Sequence, residues 1–251
     1  MTRLAGTGGA RALDVPGTLG TQIASAPGRS RIWLPTWHQE GGAVVATAIE
    51  VNTRSGRVTS IAAGDGLALA VVRAGSQLLV GTGDGDVRAL LPSPTPVLRL
   101  AAPVRMLAVA QNTLWAIDSA GRVSLMDLRT QVAHPDIVRV PGTLGAGAAF
   151  LGGRLWVSGA SLVTVDSHGS LQTIRVAGGP VSAVARCAGR IWTTQKDLGA
   201  RYGNAPGLRA VDADGEVVRT IRAPFPGYVA CTGRYVWTAT ADGRLYKLAA
   251  G

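Results

Sequence analysis

The sequence predicts an all-β fold, a six-bladed β-propeller of four-stranded antiparallel blades, and three observations predict it. First, a strand motif ending in tryptophan recurs as Arg31-Ile32-Trp33, Thr113-Leu114-Trp115, Arg154-Leu155-Trp156, Arg190-Ile191-Trp192 and Tyr235-Val236-Trp237, with leucine replacing the indole in Gln77-Leu78-Leu79. From Trp33 through Leu79 to Trp237 the spacings are 46, 36, 41, 36 and 45 residues, the length of a four-stranded unit. Second, 34 glycines and 13 prolines punctuate short apolar runs, which is turn chemistry. Third, the two ends of the chain together complete the sixth repeat, the one that carries Trp237.

Each unit divides into strands a to d, with approximate blades at 18–61, 65–100, 103–140, 143–176, 180–222 and 225–248, the last completed by 11–15, all in a single domain. In the first blade, Ala48 to Asn52 is strand c, Ser55-Gly56 the turn and Arg57 to Ile61 strand d. The second and third are looser, and Pro92, Pro94 and Pro96 mark an outer edge that donates no ladder hydrogen bonds. The fourth has Leu162 to Asp166, His168-Gly169 and Leu171 to Val176 in the same roles. The fifth runs Val181 to Cys187, Arg190 to Thr194, Leu208 to Asp212, the Asp214-Gly215 turn, then Glu216 to Ile221. The sixth stops after strand c at Arg244 to Leu248. Its missing strand d is expected at Arg11 to Val15, just before Pro16-Gly17-Thr18-Leu19-Gly20. That pentad recurs 125 residues later as Pro141-Gly142-Thr143-Leu144-Gly145, a d-to-a junction. An N-terminal strand completing the last blade would remove an aggregation-prone edge.

Hydrophobic residues make up 47% of the 251-residue chain and charged residues 16%, enough to bury a core without staples. The net charge of +10 comes from 25 basic residues, all arginine except Lys196 and Lys247. They are spread over every repeat, which speaks against a nucleic-acid partner and leaves weak attraction to anionic lipid or polymer open. Met1 to Gly6 has no apolar h-region and no 18-residue apolar stretch follows, so no membrane span is expected. The compartment stays open between cytoplasm and, for an excised receptor domain, the extracytoplasmic side. Cys187 and Cys231 each precede an a–b turn glycine by two residues in adjacent blades. Radiating blades are expected to hold them too far apart to bond, as two buried thiols. Asp65 and Arg105, each expected to open a strand a, read as an ion pair at the channel mouth.

The strings Ile174 to Val181, Gly189-Arg190-Ile191-Trp192 and Leu208 to Asp212 resemble the YVTN-type repeats of bacterial β-propellers, including the virginiamycin B lyase-like superfamily and actinobacterial sensor propellers. The resemblance implies a ligand site around the central channel, on the face where the d–a and b–c connections emerge. The lyase family implies a Glu-x-His pair, a further histidine and magnesium. This chain has only His38, His134 and His168, none in a Glu-x-His, so that activity does not carry over and no cofactor or metal is expected. His134 and His168 read as solvent-exposed turn residues.

Aligned strand-a rows, Ala24, Val71, Ala108, Ala149, Ala185, Val229 and Ile23, Ala70, Leu107, Ala148, Val184, Tyr228, make the channel apolar. The indole row reads as packing between blades. Two long b–c loops are expected, at 35–42 and 195–204, in blades flanking the sixth. Trp37, His38 and Glu40 on the first, Lys196, Arg201 and Tyr202 on the second, and Tyr228 beside them form the candidate ligand-binding set. Trp37 has an equal reading as packing. The function read from this is a monomeric, non-enzymatic ligand- or protein-binding sensor propeller, in the setting of a bacterial receptor or secreted scaffold. The alternative is a lyase or cyclase using His38, Glu40, Arg201 and Tyr202.

Overall fold

The computed structural model describes residues 2–5, 8–12, 15–25, 30–91, 93–176, 179–195, 207–222, 227–239 and 244–250, with backbone alone over 2–12, at 222 and 239, and over 244–247. Every helix or strand among them is a strand, so no helix is long and apolar enough to cross a membrane. Six sheets make the fold a six-bladed β-propeller. The chain divides into two compact units of three sheets, Val15–Ala26 with Ser30–Pro141, and Met1–Asp14 with Pro27–Arg29 and Gly142–Gly251.

The chain opens with β1 (Thr2–Ala5) and β2 (Gly8–Ala12), which belong to the second unit. Blade 1 follows with β3 (Thr18–Leu19), β4 (Ala24–Ser25), β5 (Arg31–Glu40), β6 (Ala43–Asn52) and β7 (Val58–Asp65). Blade 2 holds β8 (Ala68–Ala74), β9 (Gln77–Thr82), β10 (Asp86–Ala89) and β11 (Thr95–Arg99). Blade 3 holds β12 (Val104–Ala110), β13 (Thr113–Asp118), β14 (Arg122–Asp127) and β15 (Ala133–Arg139). In the second unit, blade 4 is β16 (Leu144–Leu151), β17 (Arg154–Gly159), β18 (Leu162–Val165) and β19 (Leu171–Ile174). Blade 5 is β20 (Val181–Cys187), β21 (Arg190–Gln195), β22 (Gly207–Val211) and β23 (Val217–Arg222), and blade 6 has β24 (Tyr228–Thr232), β25 (Tyr235–Ala239) and β26 (Arg244–Ala249).

Each recurrent tryptophan stands opposite an alanine of strand a: Trp33 opposite Ala24, Trp115 opposite Ala108, Trp156 opposite Ala149, Trp192 opposite Ala185 and Trp237 opposite Ala230. A methyl group across the ladder leaves room for an indole, and all five rings are buried. In blade 2, Leu79 faces Val72, so a smaller strand-b side chain is matched by a larger partner. The resulting cores lie between neighbouring blades. Trp33 packs with Ala68, Val71 and Leu78 of the next sheet, and Trp156 packs with Val181, Val184 and Ile191. The rings line no common binding site; the packing reading holds.

Blade 1 departs from the pattern at its inner strand, which is broken in two. β3 pairs with Thr36 and Trp37, β4 with Ile32 and Trp33, and 20–23 leave the ladder between them. Pro35 faces this gap, and having no N–H it offers strand a only its carbonyl, which accepts from Gly20 N at 2.8 Å. The freed residues cross to the inner strands of the next two blades. Gln22 bridges Ala70 in parallel, and its side-chain amide receives Leu107 N at 2.7 Å and donates to Leu107 O at 2.6 Å, as a further strand would. Thr21 Oγ1 reaches Leu69 O and Arg105 O, both at 2.9 Å. Gly20 fits because a Cβ there would meet Ala68 O at 2.5 Å.

Two expectations are corrected in blade 6. The N-terminal segment does complete the sheet, but Arg11 and Ala12 pair with β1 and not with 244–248, and 13–14 lie outside the described residues. Instead β1 lies parallel to β26, with Thr2, Arg3 and Leu4 opposite Arg244, Leu245 and Tyr246, and β2 folds back antiparallel on β1 as the outer edge. The hairpin adds two strands where one was expected. Second, Cys187 and Cys231 form a disulfide with Cα atoms 5.4 Å apart. Blades diverge toward their outer strands, but β20 and β24 are inner strands packed side by side, where separation is smallest. Asp65 is also reassigned: it closes β7, and Arg88 Nη1 donates to its backbone carbonyl at 2.7 Å.

Strand c ends in the same device in four blades. Asn52, Asp127, Asp166 and Asp212 each turn Oδ1 onto backbone N–H groups two to four residues ahead, closing the c–d turn. The Thr130 N–H, helped by that of Arg129, holds the Asp127 carboxyl below its usual value of 3.8, and the Ser170 N–H does the same for Asp166 against a smaller opposing effect of burial. A carboxyl depressed in the folded state contributes stability above its unfolded value, and that contribution fades as pH falls below 3.8. The Asp127→Asn, Asp166→Asn variant keeps the acceptor and loses the charge, so its unfolding free energy should fall less steeply with acid than wild type, as urea titrations from neutral to acid pH would read. Reduction should release two thiols and, with the bridged positions 44 residues apart in sequence, lower stability by about 4 kcal/mol, measured by denaturant unfolding with and without reductant.

Candidate functional site

The stretch 35–42, expected as a loop, is not one. β5 and β6 pair without interruption from Arg31 opposite Asn52 to Glu40 opposite Ala43, and Gly41-Gly42 makes the turn. Both glycines have positive φ, 57° and 86°, as a tight two-residue hairpin turn requires. β7 ends at Asp65 opposite Val45, so the tip beyond His38 projects past its own sheet. Trp37 is half-buried between Ala46 and Thr18 in the ladder, which favours its packing role.

His38 and Glu40, two residues apart on one strand, point the same way, and His38 Nε2 lies 3.5 Å from Glu40 Oε2. Their side chains are 44% and 74% exposed. A general base needs an orienting partner and a substrate held against it, and this pair stands in solvent on a hairpin tip. Tyr228 opens β24 in the other unit, half-buried, its carbonyl accepting from Thr238 Oγ1 at 3.0 Å. Lys196, Arg201 and Tyr202 lie outside the described residues. His134 and His168 are exposed, the first on β15 instead of in a turn.

A concave site lies elsewhere, in the second unit. A cleft of about 490 Å³ opens on blade 4 where the β17–β18 turn, the end of strand d and the connection to β20 meet. Leu162, Ile174 and Val181 form a buried apolar floor, while Ser161, Thr173 and Arg175 stand exposed at the rim. Among the described residues its lining holds no carboxylate, imidazole or thiol, and its chemistry is that of an apolar floor with a polar rim. Sequence reading missed it because short turns drew no notice beside the expected long loops. The signal was Arg175 set between apolar Ile174 and Val176 at the close of a strand. Among the described residues, no three His, Cys, Asp or Glu side chains gather to hold a metal ion.

Two ion-paired arginines elsewhere are fastened to the scaffold. Arg88 joins Asp84 at 2.9 Å, Asp86 at 3.3 Å and the Ala63 carbonyl at 3.2 Å, tying β10 to the end of β7. Burial pushes the Asp84 carboxyl up, but the Thr82 hydroxyl and the Arg88 charge outweigh it and hold the group low. Arg122 similarly donates to Asp118 at 2.7 Å across the β13–β14 turn. Burial pulls the Arg209 guanidinium below its usual value.

No protein-family model and no curated protein matches this chain. Solved structures do, as folds. A structural genomics protein of unknown function from Bacteroides thetaiotaomicron superposes over 94% of this chain and 70% of its own, at 15% identity and a TM-score of 0.68. A chain of the mitotic checkpoint complex superposes over 99% of this chain and all of its own, at 19% identity and TM-score 0.65. The computationally designed Ika8 protein covers 91% of this chain and 83% of its own, at 10% and 0.61. At these identities the likeness is one of fold.

His38→Ala and Glu40→Ala should each leave the unfolding free energy within about 1 kcal/mol of wild type, because an exposed pair contributes little. Urea denaturation of both variants checks this.

Proposed function

We propose that the chain is a non-enzymatic binding module, a rigid propeller that presents its b–c and d–a connections to a ligand or partner. The blade 4 cleft carries this reading: an apolar floor with one cation at its rim suits a small molecule with an apolar body and an anionic head. The propeller fold supports a binding or scaffold role in general. The YVTN-type likeness of the repeats and the setting of an extracytoplasmic bacterial receptor or secreted scaffold, acting as a monomer, belong to the same proposal. The Cys187–Cys231 bridge supports the extracytoplasmic part, since both cysteines of the chain are paired and disulfides persist in oxidising compartments. The lyase or cyclase alternative would have to work through His38 and Glu40, which face each other in solvent.

Calorimetric titration with a medium-chain alkyl carboxylate tests the proposal. Wild type should bind, Arg175→Ala should bind at least about tenfold more weakly, and Thr173→Trp, which fills the rim, should not bind. Equal binding by all three, or turnover of lactones and cyclic depsipeptides abolished by His38→Ala, would overturn it.

A further inference from the structure

Six large apolar residues are exposed among the described residues, and five occupy one kind of position. Leu91 and Val132 lie in the c–d turns of blades 2 and 3, while Leu171, Val217 and Val218 open strand d in blades 4 and 5. Single exposed apolar residues are ordinary on a protein surface, but confinement to one corner of successive blades is not scatter.

In the unit of blades 1 to 3 the same corners carry cations. Arg54 and Arg57 are exposed in the c–d turn of blade 1, and Arg129 in that of blade 3. None of the three makes a salt bridge among the described residues. The acids at this end of the unit are Glu50, which pairs with Arg31 at 3.1 Å, and Asp127, whose Oδ1 is held by the Arg129 and Thr130 N–H groups. At the opposite end Arg88, Arg99 and Arg122 are joined to carboxylates, and Arg139 donates to the Ala120 carbonyl at 2.9 Å. The three sheets stand inner strand beside inner strand, with strand a of blade 1 parallel to that of blade 2, so their c–d turns open on the same side.

We propose that this end of the blade 1–3 unit docks on an anionic lipid surface, with Leu91 and Val132 entering the headgroup layer and Arg54, Arg57 and Arg129 meeting lipid phosphates. The combination of apolar anchors and exposed cations outside any salt bridge is what distinguishes lipid from a soluble polyanion, which would use the arginines alone. Blade 5 has Asp214 and Glu216 at its corner, so the second unit is left out of the docking surface.

The test is flotation of the intact protein with vesicles of equal parts phosphatidylcholine and phosphatidylglycerol, against phosphatidylcholine alone. Binding to the mixed vesicles only, weakened by salt, is expected. The Arg54→Gln, Arg57→Gln, Arg129→Gln variant should lose on the order of 100-fold in affinity, a factor of about five per cation. Leu91→Ser with Val132→Ser should weaken vesicle binding several-fold while leaving binding to heparin, a soluble polyanion, unchanged. These substitutions are on exposed turns, and circular dichroism confirms the fold. Absence of binding to mixed vesicles overturns the proposal. So does insensitivity to Leu91→Ser with Val132→Ser, which would make the surface a polyanion site.

Discussion

The fold depends on a volume constraint across one ladder position. Strand b carries a buried indole in five blades, and the residue opposite it on strand a is alanine every time. An indole and a methyl together fill the space between one blade and the next. Blade 2 keeps the sum by other means, Leu79 opposite Val72. Interiors are packed as tightly as organic crystals, so the two positions behave as one unit. The cores of each unit lie between sheets for this reason, and each sheet is buried by its neighbour.

Inner strands held that close are linked directly from blade to blade. Gln22 reaches across from blade 1 to satisfy both backbone groups of Leu107, and Pro35 is what frees the segment to do so. In the other unit, β20 and β24 come near enough for Cys187 and Cys231 to bond. The outer strands have the opposite character. Their turns are solvated and closed by carboxylates and an amide on backbone N–H groups. Surface chemistry is therefore concentrated at the two ends of the blades: the cleft on one, the cation and apolar corners on the other.

Much of the architecture was legible in the sequence. The period of the tryptophans, the Asp-Gly and His-Gly turns and the recurring pentad carry blade number and strand order. What was hidden depended on events outside one repeat. The stretch 35–42 read as a loop because it is longer than the b–c connection of other blades, yet β5 and β6 stay paired through it up to the Gly41-Gly42 turn, and Pro35 leaves only the ladder toward strand a incomplete. Residues 11–15 matched a strand d by analogy with other blades, whereas the N-terminal hairpin pairs in parallel through Thr2 to Leu4, which no repeat copy announces. The disulfide turned on an inter-blade distance that spacing does not encode. Of the candidate residues, His38 and Glu40 lie 3.5 Å apart on one strand, while the cleft near Arg175 lies on short connections with no distinctive composition.

A double-mutant cycle at the blade 2 pair tests the volume constraint most directly. Leu79→Trp overfills the position and Val72→Ala underfills it, so each should destabilise the protein in urea unfolding by about 1–3 kcal/mol. Combined, they recreate the indole-and-alanine pair of the other blades, and stability should recover with a coupling of at least about 1 kcal/mol. Strict additivity, with the double variant the least stable of the set, would contradict the account.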